Sequence, residues 1–123
     1  MELADEPAPE NPSEGEVADI LKKEGERINK ATAGFQNVIV LAIEGKRRTS
    51  EQFAADIESC MASGNPDICF VIGGSFGVDE KIKAGSKLLS MSDMTMPHRI
   101  ARIVLLEQIF RAFKIINHET YHK

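Results

Sequence analysis

At 123 residues, with 42% hydrophobic and 28% charged positions, the chain fits one globular domain with a single core and is too apolar to be an extended polar chain. Its net charge of −4 argues against a nucleic-acid surface covering the whole molecule, because phosphate binding wants positive charge. Two cysteines make neither a disulfide framework nor a metal cluster, and no signal peptide, lipidation motif or membrane-spanning apolar run is visible, so the expected compartment is the cytoplasm.

The opening segment, Met1 to Pro12, carries Pro7, Pro9 and Pro12 among acids and reads as an extended loop. Ser13 and Glu16 have capping-box spacing, which predicts a helix with Val17, Ile20, Leu21 and Ile28 on its inner face. Asn37 to Ile43 is an unbroken apolar run, the pattern of a strand buried on both faces, closed by Glu44-Gly45-Lys46. Thr49 and Gln52 form a second box and open a helix with Phe53, Ile57 and Met61 at i, i+4 and i+8. Gly64-Asn65-Pro66-Asp67 is a turn. Ile68 to Ile72 then ends abruptly in Gly73-Gly74, with Gly77 following, and reads as the central strand, Cys69 being a small core residue within it. Asp79 to Ala84 predicts a short helix and Ser86 to Met91 a third strand. Pro97 starts the longest helix, which runs to Lys114 with Ile100, Ile103, Val104, Leu106, Ile109, Phe110 and Phe113 apolar. That arc is wide enough to be buried on more than one side, as core or as a dimer interface. Strands alternating with helices imply an α/β domain with a mostly parallel sheet; three strands make a narrow one, which calls for a further element or a partner chain.

Glycines at the carboxyl end of a buried strand let a ligand approach the backbone, and open α/β sheets bind ligands on that rim. Gly73-Gly74-x-x-Gly77 lacks the order of a dinucleotide fingerprint and the Gly-Lys-Ser/Thr of a phosphate loop; alone it is balanced between ligand approach and a tight turn. The turns at Glu44-Gly45-Lys46 and Ser90 to Thr95 also follow strands, and three strand ends on one rim can enclose a flat ligand. Charge is uneven along the chain: the first twenty residues hold acids and no Lys or Arg, while the segment from Pro97 holds Arg99, Arg102, Arg111, Lys114 and Lys123 against Glu107 and Glu119. Arg99 and Arg102, three apart on a helix, could both reach phosphate. His98 reads as a structural hydrogen bonder, and His118 and His122 share no metal-ligand pattern with a cysteine or carboxylate. Tyr121-His122-Lys123 reads either as a frayed end or as an RNA-contacting group, since unpaired bases stack on Tyr and His.

Taken together, KEGERI (Lys23 to Ile28), the strand and loop ending in Gly45-Lys46, FVIGGS-x-G (Phe70 to Gly77), LS-x-S-x-MT-x-PH (Leu89 to His98), LLEQI-x-RAFKI (Leu105 to Ile115) and the final YHK (Tyr121 to Lys123) resemble the RlmH family, the 23S ribosomal RNA pseudouridine N3-methyltransferases of the SPOUT superfamily. The resemblance spans essentially the whole chain. It implies one SPOUT domain over residues 1–123, a homodimer, and a trefoil knot over about 68–116 with a tail at 117–123. It also implies S-adenosylmethionine as cofactor, held at Leu41, Gly73, Gly74 and Met91, Ser92, Asp93, Met94, Thr95 and Met96. The substrate implied is 23S rRNA in the assembled 70S ribosome, with no metal and no membrane. The resemblance further implies that family members extend beyond this chain at the N-terminus with a strand and a helix, whose absence here would account for the narrow sheet.

On this reading the proton on N3 of pseudouridine must leave before or during methyl transfer. His122 is the best titratable candidate to take it, because an imidazole works near neutral pH, and Tyr121 would stack on or hydrogen-bond the base. Arg99, Arg102, His118 and Lys123 would contact RNA. The competing class is a binding module, a dimeric cofactor-binding or ribosome-associated protein with impaired catalysis.

Overall fold

The computed structural model describes residues 3, 7–64, 66–74 and 76–122. Both predicted capping boxes start helices. The Ser13 hydroxyl accepts from the Glu16 amide and the Glu16 carboxylate accepts from the Ser13 amide, each at 3.2 Å, opening α1 (Glu14–Thr32). Thr49 and Gln52 repeat the arrangement at 3.1 and 3.0 Å and open α2 (Ser50–Ala62). The remaining elements are β1 (Asn37–Arg47), β2 (Ile68–Val71), α3 (Glu80–Ala84), β3 (Lys87–Ser90) and α4 (His98–Ile116).

The three strands form one parallel sheet in the order β2-β1-β3. Ile68 to Ile72, expected as the central strand, supplies an edge instead: the centre is β1, and β2 flanks it. The reason lies in length and burial: β1 has 11 residues and a fully buried Val40, whereas β2 has 4 and buries only Val71. Side chains alternate across β1, so Ile39 and Val40 enter different cores. One core joins Ile39 and Leu89 to Phe53, Ala54 and Ile57 of α2 and to Leu105 and Ala112 of α4. The other joins Val40 and Val71 to Ile28 of α1, to Val78 just before α3 and to Ile82 within α3. Helices therefore cover both faces, which is why β1 is apolar without alternation.

A second departure concerns Glu44-Gly45-Lys46, read above as a turn that closes the strand. These residues are inside β1. After Leu41 pairs with Leu89, the ladder breaks and resumes with Lys46 opposite Leu89 and Arg47 opposite Ser90. Between the two pairings the chain presses on the backbone of β3: a Cβ on Gly45 would lie 2.8 Å from the Leu88 carbonyl carbon and from the Leu89 nitrogen. Gly45 is needed for close backbone approach, not for turning. Glu44 beside it is tied to α3 by a 2.6 Å ion pair with Lys83.

α4 has two apolar faces. Ala101, Leu105 and Ala112 point into the core, while Ile100, Ile103, Leu106, Phe110 and Phe113 form an outward stripe, each at least 40% exposed. The helix ends two residues beyond the expected Lys114. Its end is a Schellman motif: the Glu119 amide donates to the Lys114 carbonyl at 2.8 Å and the His118 amide to the Ile115 carbonyl at 3.0 Å, with His118 in the left-handed region at φ 57°. Among the described residues no helix is long and apolar enough to cross a membrane.

Candidate active site

β2 and β3 run parallel to β1 and end beside its middle, at Val40 and Leu41, while β1 itself runs on to Arg47. Leu41 stands opposite Leu89, and Val40 opposite Val71, so the residues after β2 and β3 flank Leu41. Leu41, Ile72 and Met91 are all half-buried and all pack on the same core cluster. Leu41, the glycine pair and the start of the Met91–Met96 loop thus share one rim.

The glycine loop is shaped by its own packing. Gly74 and Gly77 pair, with the Gly77 amide donating to the Gly74 carbonyl at 3.1 Å, and Gly77 takes φ 86°. A Cβ on Gly73 would meet the Gly77 carbonyl and the Val78 side chain at 2.7 Å. The glycine at 73 is therefore demanded by the fold itself. The loop from Met91 to Met96 is held by short polar contacts. Ser90, buried at the end of β3, donates its hydroxyl to the Ser92 carbonyl at 3.1 Å, and the Met94 amide donates to the Ser92 hydroxyl at 2.9 Å. Asp93 accepts from Arg47 at 2.7 Å, an exposed pair that links the resumed end of β1 to the loop. Met91, Ser92 and Met96 are half-buried; Asp93, Met94 and Thr95 face solvent.

A cavity of about 290 Å³ opens beside the end of β3, walled by Thr49, Ser50, Phe53, Met91, Leu105 and Gln108 among others. It meets the expected cofactor residues only at Met91. At its edge the Ser50 hydroxyl and the Gln108 carbonyl oxygen are 2.8 Å apart.

The tail runs back along the same edge. His122 Nε2 lies 2.6 Å from a Glu51 carboxylate oxygen at the start of α2, and Nδ1 lies 3.1 Å from Arg111 Nη1 on α4. Arg111 also grips Glu107 at 2.6 Å and sits 4.9 Å from the centre of the Tyr121 ring. The Tyr121 hydroxyl donates to Glu107 at 3.2 Å, and its ring packs edge-on against Phe110 with centroids 5.1 Å apart. Arg111 holds the Glu107 carboxyl below its ordinary value, and the hydrogen bond from His122 does the same for Glu51. Tyr121 and His122 are thus anchored together, not frayed. The sequence offered a hint in the i, i+4 spacing of Glu107 and Arg111; nothing marked Glu51, which is far from the tail in the chain.

Other expected residues are scattered. Arg99 and Arg102 are exposed on the first turns of α4. His98 is exposed too and makes no side-chain hydrogen bond among the described residues, contrary to the structural role expected for it: Pro97 precedes it, and the helix starts without a side-chain cap. His118 is exposed at the Schellman turn. Lys123 lies outside the described residues.

Residues 1–122 match a family described as "Predicted SPOUT methyltransferase". Among curated proteins, the chain is 48% identical to the Ribosomal RNA large subunit methyltransferase H of Lysinibacillus sphaericus. It is 50% identical to the protein of that name from Bacillus cytotoxicus and 46% to that from Ruminiclostridium cellulolyticum. Each match takes in 100% of this chain and 78% of the relative.

Proposed function

The chain belongs to the SPOUT methyltransferase family, and from that premise we propose that it transfers a methyl group from S-adenosylmethionine to N3 of a pseudouridine in the 23S rRNA of assembled ribosomes. The observation that carries the reading is the convergence of Leu41, the glycine pair and the Met91–Met96 loop on one rim, together with similarity along the whole of this chain to relatives named for large-subunit rRNA. The residues fit the donor. Half-buried Leu41, Ile72 and Met91 offer an apolar wall for a flat ring, while the polar loop beyond offers backbone groups and the Ser92 hydroxyl. Leu41, Gly73, Gly74 and Met91 to Met96 would hold it. When bound, the donor supplies an electrophilic methyl on a sulfonium.

The chain's own residues then have three tasks. The apolar wall excludes water, so charge on the reacting atoms is poorly solvated. Arg99 and Arg102, with His118 and Lys123, hold RNA phosphate and fix its position. Tyr121 stacks on the target base, and His122 accepts the N3 proton at Nδ1, the nitrogen whose lone pair now receives an Arg111 N–H. Two copies would pair through the outer stripe of α4, which otherwise leaves Ile103, Leu106 and Phe110 in water. The trefoil knot would span about 68–116. The further strand and helix would belong to the part of the relatives outside the match.

Titration with S-adenosylmethionine followed by single-turnover transfer to 70S ribosomes tests the proposal. Binding with label appearing in 23S rRNA is expected. Binding without transfer would convert the protein into a cofactor-binding module, and no binding would end the reading.

A further inference from the structure

We propose that Glu51 is a positioning residue: its carboxylate fixes the His122 imidazole as the Nε2–H tautomer, leaving the Nδ1 lone pair as the proton acceptor. The Arg111 guanidinium has donors only, so the nitrogen it approaches at 3.1 Å must accept. Nδ1 therefore carries the lone pair, and the ring proton sits on Nε2, aimed at the Glu51 carboxylate 2.6 Å away. A doubly protonated ring would turn an Nδ1–H toward Arg111, so the Glu51–His122 contact is an imidazole N–H on a carboxylate and not an ion pair of two full charges. This is the division of labour in which a carboxylate orients an imidazole and the opposite nitrogen does the proton transfer.

The charged and titratable groups facing the ring are Glu51 from α2, Arg111 and Glu107 from α4, and Tyr121 from the tail itself. Glu107 holds Arg111 through paired contacts of 2.6 and 3.1 Å, so the guanidinium is presented to Nδ1 at a fixed angle. For transfer, Arg111 yields its place on Nδ1; the proton on N3 moves to Nδ1, the electron pair stays on N3, and the resulting imidazolium keeps its Nε2–H on Glu51. This assignment rests on the reading of His122 as the proton acceptor.

The test is long-range proton–nitrogen NMR of the full chain, read on neutral His122, for the wild type, Glu51→Ala and Glu51→Gln. Glu51 is exposed, so its replacement leaves the core intact. The wild type is expected to show the Nε2–H tautomer alone; Glu51→Ala a mixture, because a ring no longer held at Nε2 turns away from Arg111; and Glu51→Gln the wild-type tautomer, because the amide oxygen still accepts. Single-turnover methyl transfer should fall about tenfold in Glu51→Ala and show no further fall when Glu51→Ala is added to His122→Ala. An Nδ1–H tautomer in the wild type, or a Glu51→Ala chain with unchanged tautomer and rate, overturns the proposal. The spectrum is read without substrate, so a wild-type chain that fails to methylate ribosomes counts against the proposed reaction and not against the tautomer.

Discussion

Gly45 crosses the backbone of β3 with no room for a side chain, the added Cβ meeting backbone atoms at 2.8 Å. Backbone cannot rotate aside, so Gly45→Ala is expected to lower stability by about 2 kcal/mol in urea unfolding. A variant within a few tenths of the wild type would mean that the contact yields to a methyl group. His118 is the opposite case, a side chain where glycine would be easier. Its left-handed conformation costs about 1 kcal/mol, and glycine commonly fills that place in a Schellman motif. His118→Gly is expected to raise the urea midpoint slightly; a lowered midpoint would show that the imidazole contributes more than its backbone costs.

At the scale of elements, local signals set the helix starts and the wider fold set the strand limits. Ser13 with Glu16, and Thr49 with Gln52, needed only their immediate neighbours, and both boxes stand where the spacing placed them. The run from Asn37 to Ile43 announced a buried strand, but its continuation to Arg47 depends on pairing with Leu89 and Ser90, which local pattern does not encode. Leu41 and Met91 on the rim were likewise legible, whereas the grip of Glu51 on His122 joins residues 71 positions apart and left no trace in spacing. The apolar arc of the long helix was legible as wider than one core contact needs, and its outer stripe stands exposed. Ile103→Lys, on the outer stripe, is expected to leave the urea midpoint of the subunit almost unchanged while converting a dimer to monomers in sedimentation. A dimer that persists would place the interface elsewhere.

For the molecule as a whole, acid should release the tail before it opens the core. The carboxyl of Glu107, which grips Arg111 and accepts the Tyr121 hydroxyl, is held below its ordinary value of 4.5 chiefly by Arg111. A depressed carboxyl contributes stability that is full above its unfolded value and is lost as the pH falls through the folded one. Tyr121 reports this directly, being the single tyrosine of a chain without tryptophan. Its fluorescence anisotropy should drop as the pH falls below about 4.5, ahead of the loss of helical circular dichroism; one simultaneous transition would show that tail and core are a single cooperative unit. The doubled pairing of β1 with β3 bears on how the chain is made. Lys46 and Arg47 leave the ribosome long before Leu89 and Ser90 do, and they have no ladder to join until then. The second half of that strand must wait unformed through synthesis of α2, β2 and α3. Completion of the sheet is thus a late event of biogenesis, tied to the arrival of the chain's final third.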